Sequence, residues 1–404
     1  MSATPAGPAL RTAEFVPLVA LLMSLVALSI DAMLPALPEI GRDLGAARAN
    51  DVQFVITSLF VGLGIGQILF GPLSDQIGRK PAIHVGLAVF AIGCFVSIFA
   101  TTFEQMIGGR ILQGIGVAGP RVVTVALVRD QYEGRQMARL MSFVMSVFIL
   151  VPAIAPALGQ GILWLGNWRT IFTTFVLIAA LAFAWLAVRQ PETLPVERRR
   201  PLRPRTVGQA LLEILRIRAA LGYTVAQGCI FAPFFAYLAT SQQIFQEAYR
   251  TGALFPVYFG ALALAIGVAS LLNGRLVMRH GMRRLSKIAA GSIAILSLAA
   301  WTGVFAFDGL PPLWLFMAYL TVVFVFIGLL FGNLNALAME PLGHIAGVGA
   351  AVVASLSTFL SVPLGALVGR GFDGTMYAQI GAFAVFGAAT FAAMRWAEKH
   401  EHTR

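Results

Sequence analysis

Gly71-Pro72-Leu73-Ser74-Asp75-Gln76-Ile77-Gly78-Arg79-Lys80-Pro81 returns, in degraded form, half a chain later. Gly274-Arg275-Leu276-Val277-Met278-Arg279-His280-Gly281-Met282-Arg283 carries Gly274, Leu276, Gly281 and Arg283 opposite Gly71, Leu73, Gly78 and Lys80, each 203 positions on. Both copies sit between apolar runs long enough to cross a bilayer. The same loop at equivalent points of two halves predicts a duplicated, membrane-spanning helical architecture.

The composition outside these loops agrees. Of the 404 residues, 58% are hydrophobic and 12% charged, with a mean hydropathy of +0.82. A soluble domain carries about 45–50% apolar and about 25% charged residues, and no water-soluble fold buries so large an excess. Thirty Phe and 2 Cys exclude disorder and a disulfide scaffold. Cys94 and Cys229 lie in apolar runs of opposite halves and read as small core residues. Of the histidines only His400 and His402 stand close together, in a charged tail, which reads as a solvated end and not a metal site.

A span needs about 20 apolar residues. Twelve such runs follow along the chain, near 15–37, 52–74, 82–101, 105–128, 138–162, 170–188, 219–244, 251–275, 288–307, 313–338, 346–369 and 376–396. The first contains Asp31, Pro35 and the approach to Pro38 with no clean cleavage site, so it reads as a retained helix. Twenty-two of the 29 basic residues fall in the even-numbered connections and the two tails, from Arg11 to Arg404. Five (Arg42, Arg48, Arg169, Arg250, Arg370) fall in the opposite loops, and Arg110 and Arg121 lie inside a span. That asymmetry predicts both termini on the cytoplasmic side. It also accounts for the net charge of +11 without nucleic acid, since no basic domain is present to hold a duplex. The connection 189–218, with Pro191, Pro195, Arg198, Arg199, Arg200, Pro201, Arg203, Pro204 and Arg205, reads as a non-spanning linker. The expected organisation is a six-helix bundle over 1–188, a cytoplasmic linker over 189–218 and a second six-helix bundle over 219–404.

With these motifs in view, the loop at 71–81 resembles the signature loop of the major facilitator superfamily, and the resemblance covers essentially the whole chain. Met278 and Met282 replace Asp75 and Arg79 in the second copy, as is usual in that superfamily. Arg110-Ile-Leu-Gln113-Gly114-Ile-Gly116 is similar to the span-4 motif of drug:proton antiporters. Ala155-Pro156-Ala-Leu-Gly159 is similar to their span-5 motif, with Ala155 and Gln160 in place of two glycines. Asp31-Ala-Met-Leu-Pro35-Ala-Leu-Pro38 and Gly332-Asn333-Leu-Asn335-Ala-Leu-Ala338-Met-Glu340-Pro341 resemble the bicyclomycin/chloramphenicol-resistance (Bcr/CflA) branch. The resemblance implies twelve helices in two pseudo-symmetric bundles, substrate bound between them near the midplane, and exchange of entering protons for an exported drug or metabolite.

Ionisable residues inside a span are costly and are functional candidates by default. Asp31 lies about 9 Å below the outer end of the first span, and Arg110 lies at similar depth in the fourth. Desolvation favours the neutral acid and a nearby arginine the carboxylate, so a change in water access loads or releases a proton. The two are therefore expected to form a proton-coupling pair; a static ion pair is the structural alternative. Arg121 follows Arg110 by eleven residues and returns to nearly the same helix face. It either lines the cavity, toward anionic substrates, or snorkels to the interface.

The remaining candidates are gating and cavity residues. Gly71 and Gly78 suit a tight turn. Asp75 is expected to meet the positive end of a neighbouring helix and leave it on switching, while Arg79 and Lys80 also serve simply as topology anchors. Pro156, like Pro152, interrupts its span, and Gly159 permits close packing: a seal between the halves, or packing alone. Gln113, Gln227, Phe231, Phe234, Phe235 and one face of the Asn333/Asn335 pair are expected to line a lipophilic substrate cavity, although an aromatic stripe also suits lipid or core. Glu247 and Glu340 fall at span ends, within reach of water.

No phosphate-cradling loop matches an ATP-driven pump. Gly62-Leu-Gly64-Ile-Gly66 lies within a span and reads as helix packing. No nucleophile–base pair or metal cluster stands on a defined face, so neither an enzyme nor a cofactor is expected. The expected protein is an all-α, monomeric transporter of a bacterial inner membrane, exporting drug-like amphipathic molecules against protons. A proton-linked sugar or metabolite transporter is the alternative in the same fold.

Overall fold

The computed structural model describes residues 12–199 and 204–399. Arg11, Arg200, Pro201, Arg203, His400, His402 and Arg404 lie outside the described residues, as do the side chains of Arg135, Arg139 and Arg205. The first half comprises α1 (Thr12–Asp31), a short α2 (Leu37–Asp43), α3 (Phe54–Ile77), α4 (Arg79–Ile98), α5 (Phe103–Gln131), α6 (Gly134–Leu165) and α7 (Trp168–Arg189). A linker helix α8 (Pro204–Arg216) precedes α9 (Arg218–Gln242), α10 (Phe255–His280), α11 (Met282–Val304), α12 (Leu313–Met339), α13 (Ala346–Arg370) and α14 (Tyr377–Glu398). Twelve of these helices have 20 or more residues, and no strand occurs among the described residues. In a bilayer every backbone polar group must be satisfied internally, which such helices achieve by themselves.

The repeat seen in the loops is present in the backbone. Gly78 ends α3 and opens α4 at φ 109°, and Gly281 ends α10 and opens α11 at φ 77°. Only glycine adopts these angles without strain, so the duplicated glycines make the two tight reversals.

Three local features depart from the expected spans. The first run is not one helix: α1 stops at Asp31, a 3-10 turn covers Leu34–Ala36, and α2 begins at Leu37. Pro35 and Pro38 cause this, since each lacks an N–H and disfavours helix in the residue before it. The linker carries structure of its own: in α8, Ala210 and Ile214 are buried and Glu213 bonds His344 at 2.7 Å. Beyond α9 the chain widens into a π-helical turn over Gln243–Ala248.

Within the first half, α5 packs closely on α3 and α4. Gly62 abuts the Ile111 carbonyl and Gly114 the Leu59 carbonyl, leaving no room for a Cβ. Between the halves, Gly260 of α10 meets the Ala153 carbonyl of α6, also too closely for a Cβ. On the other side Ser355 of α13 donates to the Gly64 carbonyl of α3 at 2.8 Å. The seam between the halves therefore runs along α3/α13 and α6/α10.

Candidate functional site

The break after α1 organises the buried charges. A helix end leaves its last carbonyls without partners and carries partial negative charge. Arg110, fully buried on α5, answers it: its Nη2 donates to the Ser29 carbonyl at 2.8 Å, and its Nε to the Val55 carbonyl at 2.8 Å. Its Nη1 donates to Gln113 Oε1 at 2.7 Å, and the Gln113 amide donates to the Gly93 carbonyl and to Ser97 Oγ. One guanidinium so ties α1, α3 and, through Gln113, α4 to α5.

The expected Asp31–Arg110 ion pair is absent among the described residues. The reason is helical phase: Ser29 and Asp31 are two residues apart, about 200° around the axis, so the end that presents Ser29 to Arg110 turns Asp31 away. Asp31 is 3% exposed and is the one buried acid among the described residues. It lies within electrostatic reach of Tyr237 on α9, in the other half. The Tyr237 hydroxyl is buried without a hydrogen bond, its ring stacked on Phe259 and edge-on to Phe324.

The aromatic residues expected in α9 do converge. Phe231 stacks on Phe235, Phe231 and Phe234 both contact Phe331 of α12, and Phe235 reaches Phe60 of α3 at 4.3 Å. Phe231, Phe234, Phe235 and Phe331 are each only partly buried. Gln227, one turn from Phe231, is buried with an unpartnered Oε1. Arg121 is partly accessible and makes no hydrogen bond or ion pair among the described residues. Two expected cavity residues are committed elsewhere. Gln113 is fully buried in the network above, and Asn333 forms a reciprocal amide pair with Asn273 of α10, at 2.8 and 3.0 Å.

At the linker end, Asp75 does not meet a neighbouring helix terminus. It pairs with Arg79 at 2.5 Å, and Arg79 continues to Asp130 of α5 at 3.0 Å. The carboxylate at a helix start is instead Glu192 of the linker, which accepts from the N–H groups of Arg79, Lys80, Thr193 and Leu194. Lys80 Nζ donates to the Ala187 carbonyl, and Gly71 faces Ala351 of α13. Pro156 lies within α6 and Gly159 packs on the Ala32 carbonyl, inside the first half; Ala153 makes the contact across the seam.

The end away from the linker is held by amides that sequence reasoning missed. Gln53 donates to Gln243 and to the Gly369 carbonyl, and Asn50 donates to the Arg370 and Phe372 carbonyls. The one available signal was a cluster of amides at span ends, in Asn50-Asp51-Val52-Gln53 and Gln242-Gln243. Glu192 carried no spacing that singled it out, whereas Tyr237 belongs to the aromatic surface of Gln227, Phe231, Phe234 and Phe235 expected in the seventh span.

Two related helical halves, closed around a buried acid and a partly accessible aromatic seam, define a secondary transporter of the parallel-repeat type. The chain belongs to the Major Facilitator Superfamily, whose profile matches residues 19–366. It is 30% identical over 368 residues to a Haemophilus influenzae bicyclomycin resistance protein homolog, covering 88% of each chain. It is 31% identical over 360 residues to a Pseudomonas aeruginosa chloramphenicol resistance protein, covering 85% of this chain and 81% of that one. The fold is similar to that of the Escherichia coli xylose transporter XylE in a partially occluded inward-open conformation, with a TM-score of 0.75 across 96% of this chain and 98% of that one, at 14% identity.

Proposed function

We propose that this protein exports small amphipathic, drug-like molecules in exchange for protons, by alternating access between its two halves. Asp31 carries the reading: a lone buried carboxyl at a broken helix end, just before the Leu34–Ala36 turn that packs on α9 of the opposite half. Such a group is costly to hold in a membrane, and its cost changes with water access, which is what coupling requires. When the seam opens to one side Asp31 takes up or yields a proton; when it closes, the bound state is carried across. Arg110 positions Asp31 by capping α1 and does not exchange the proton. The partly buried Phe231, Phe234, Phe235 and Phe331 offer aromatic surface broken by few polar groups, which fits drug-like molecules better than sugars.

The relatives named for bicyclomycin and chloramphenicol resistance support the same substrate class. The linker side is assigned to the cytoplasm, in a bacterial inner membrane, on the basic-residue asymmetry. Twelve long helices suffice for one pathway, so a monomer is the working unit, with no catalytic step and no cofactor. Asp75, Arg79, Asp130 and Glu192 serve as the cytoplasmic gate. The test is a drug-susceptibility panel in a pump-deficient bacterium. Expression of the protein is expected to lower susceptibility to amphipathic antibiotics, and Asp31→Asn to abolish that protection. Protection against none would favour a metabolite substrate.

A further inference from the structure

We propose that Arg121, with Gln67 and Gln227 beside it, forms a subsite for an amphipathic substrate whose anionic head Arg121 holds. The inference rests on the export reading and names the substrate class it favours. The observation behind it is a set of uncommitted polar groups at one depth. Arg121 lies ten residues before the end of α5, Gln67 ten before the end of α3 and Gln227 nine after the start of α9, all about 14–15 Å from the linker-side helix ends. Arg121 has no hydrogen bond or ion pair among the described residues, and the Oε1 atoms of Gln67 and Gln227 are buried without partners.

Helical phase turns the three toward a common region. Gln67 follows Phe60 by seven residues and precedes Gly71 by four, on the stripe of α3 that meets Phe235 and Ala351 of the other half. Gln227 precedes Phe231 by four and Phe234 by seven, on the aromatic face of α9. Arg121 repeats the face of Arg110, which looks onto α1 and α3.

Charge decides what such a group binds. A guanidinium stays ionised, and inside a membrane it needs a partner or a water-filled pathway. Asp31 cannot supply the partner: Arg110 already bonds next to it at Ser29, and Arg121 lies eleven residues further along α5, about 16 Å away. No other acid among the described residues is buried. Five free N–H donors in a fixed fork fit a carboxylate or sulfonate, and the unpartnered amide oxygens of Gln67 and Gln227 accept an N–H or O–H elsewhere on the same ligand. Phe231 and Phe234 follow one and two turns farther along α9, with Phe331 against both, so the ligand is an anion with an aromatic body.

Two fluorescent probes differ by the head alone: 8-anilinonaphthalene-1-sulfonate and the uncharged N-phenyl-1-naphthylamine. Binding of each is measured to the purified full chain in lipid nanodiscs. Arg121→Gln is expected to weaken the sulfonate about tenfold and the uncharged probe less than threefold, while Arg121→Lys retains part of the preference. Arg121→Gln leaving sulfonate binding unchanged, as for a snorkelling arginine, would overturn the proposal. So would loss of both probes alike in Arg121→Lys as well as Arg121→Gln. Equilibrium binding needs no transport, so a drug panel showing protection against none would sink the export reading and leave this result intact.

Discussion

Gln53, the residue before α3, donates through Nε2 to Oε1 of Gln243 at 2.9 Å, joining the two halves at the end away from the linker. The same Gln53 nitrogen reaches the Gly369 carbonyl at 3.0 Å, and Gln243 returns a bond to Asn50 Oδ1 at 3.0 Å. These are neutral amides, each worth about 1 kcal/mol because water replaces the lost partner when the seam opens. A latch of this strength holds one state without trapping it. Cross-linking a Gln53→Cys/Gln243→Cys pair with a short thiol reagent is expected to stop transport, and a reducible linker to restore it on reduction. Transport continuing at full rate with the link in place would show that this end need not open.

The two reversal glycines make unequal demands. A Cβ on Gly78 would collide with the Glu192 carboxylate, whereas Gly281 faces open space. Gly281→Ala therefore carries backbone strain alone, roughly 1 kcal/mol, and Gly78→Ala roughly 2–3 kcal/mol. Thermal unfolding of the purified variants checks this, and equal losses would contradict it.

What was legible follows from what patterns encode. Apolar length and the repeat at Gly78 and Gly281 located the long helices, because both are properties of consecutive residues. The break at Asp31 is marked by Pro35 and Pro38, yet hydropathy predicts one span, since it does not register a missing N–H. Depth alone predicts an Asp31–Arg110 pair, but helical phase sends Ser29 and Asp31 to different neighbours. The role of Asp75 was assigned by analogy, and Glu192, 117 positions away in sequence, holds the helix start instead. Gln53 and Gln243 meet only in the folded chain; nothing local to either marks the contact.

Arg110 acts through carbonyls, so its charge alone is insufficient. Lysine cannot reach Ser29, Val55 and Gln113 from one plane. Arg110→Lys is expected to cost on the order of 3 kcal/mol by leaving buried acceptors unmade. Gln113→Ala removes a neutral partner and should cost less. A thermal shift for Arg110→Lys no larger than for Gln113→Ala would argue against the capping role.

Glu192 pins the linker to the start of α4 through the N–H groups of Arg79 and Lys80, and accepts from Thr193 and Leu194 within the linker. A carboxylate at a helix N-terminus contributes about 0.3–1 kcal/mol, which Glu192→Gln forfeits. Trypsin cleavage after Arg198 or Arg199 should then accelerate several-fold under native conditions. An unchanged cleavage rate would mean the linker is held by other contacts.

Proton exchange through Asp31 is open to a single comparison in reconstituted vesicles with an acidic lumen. Wild-type protein is expected to concentrate N-phenyl-1-naphthylamine inwards while the gradient lasts. Asp31→Asn is expected to exchange the probe down its own gradient but never to concentrate it. Gradient-driven accumulation by Asp31→Asn at the wild-type level would contradict the assignment of Asp31 as the coupling acid.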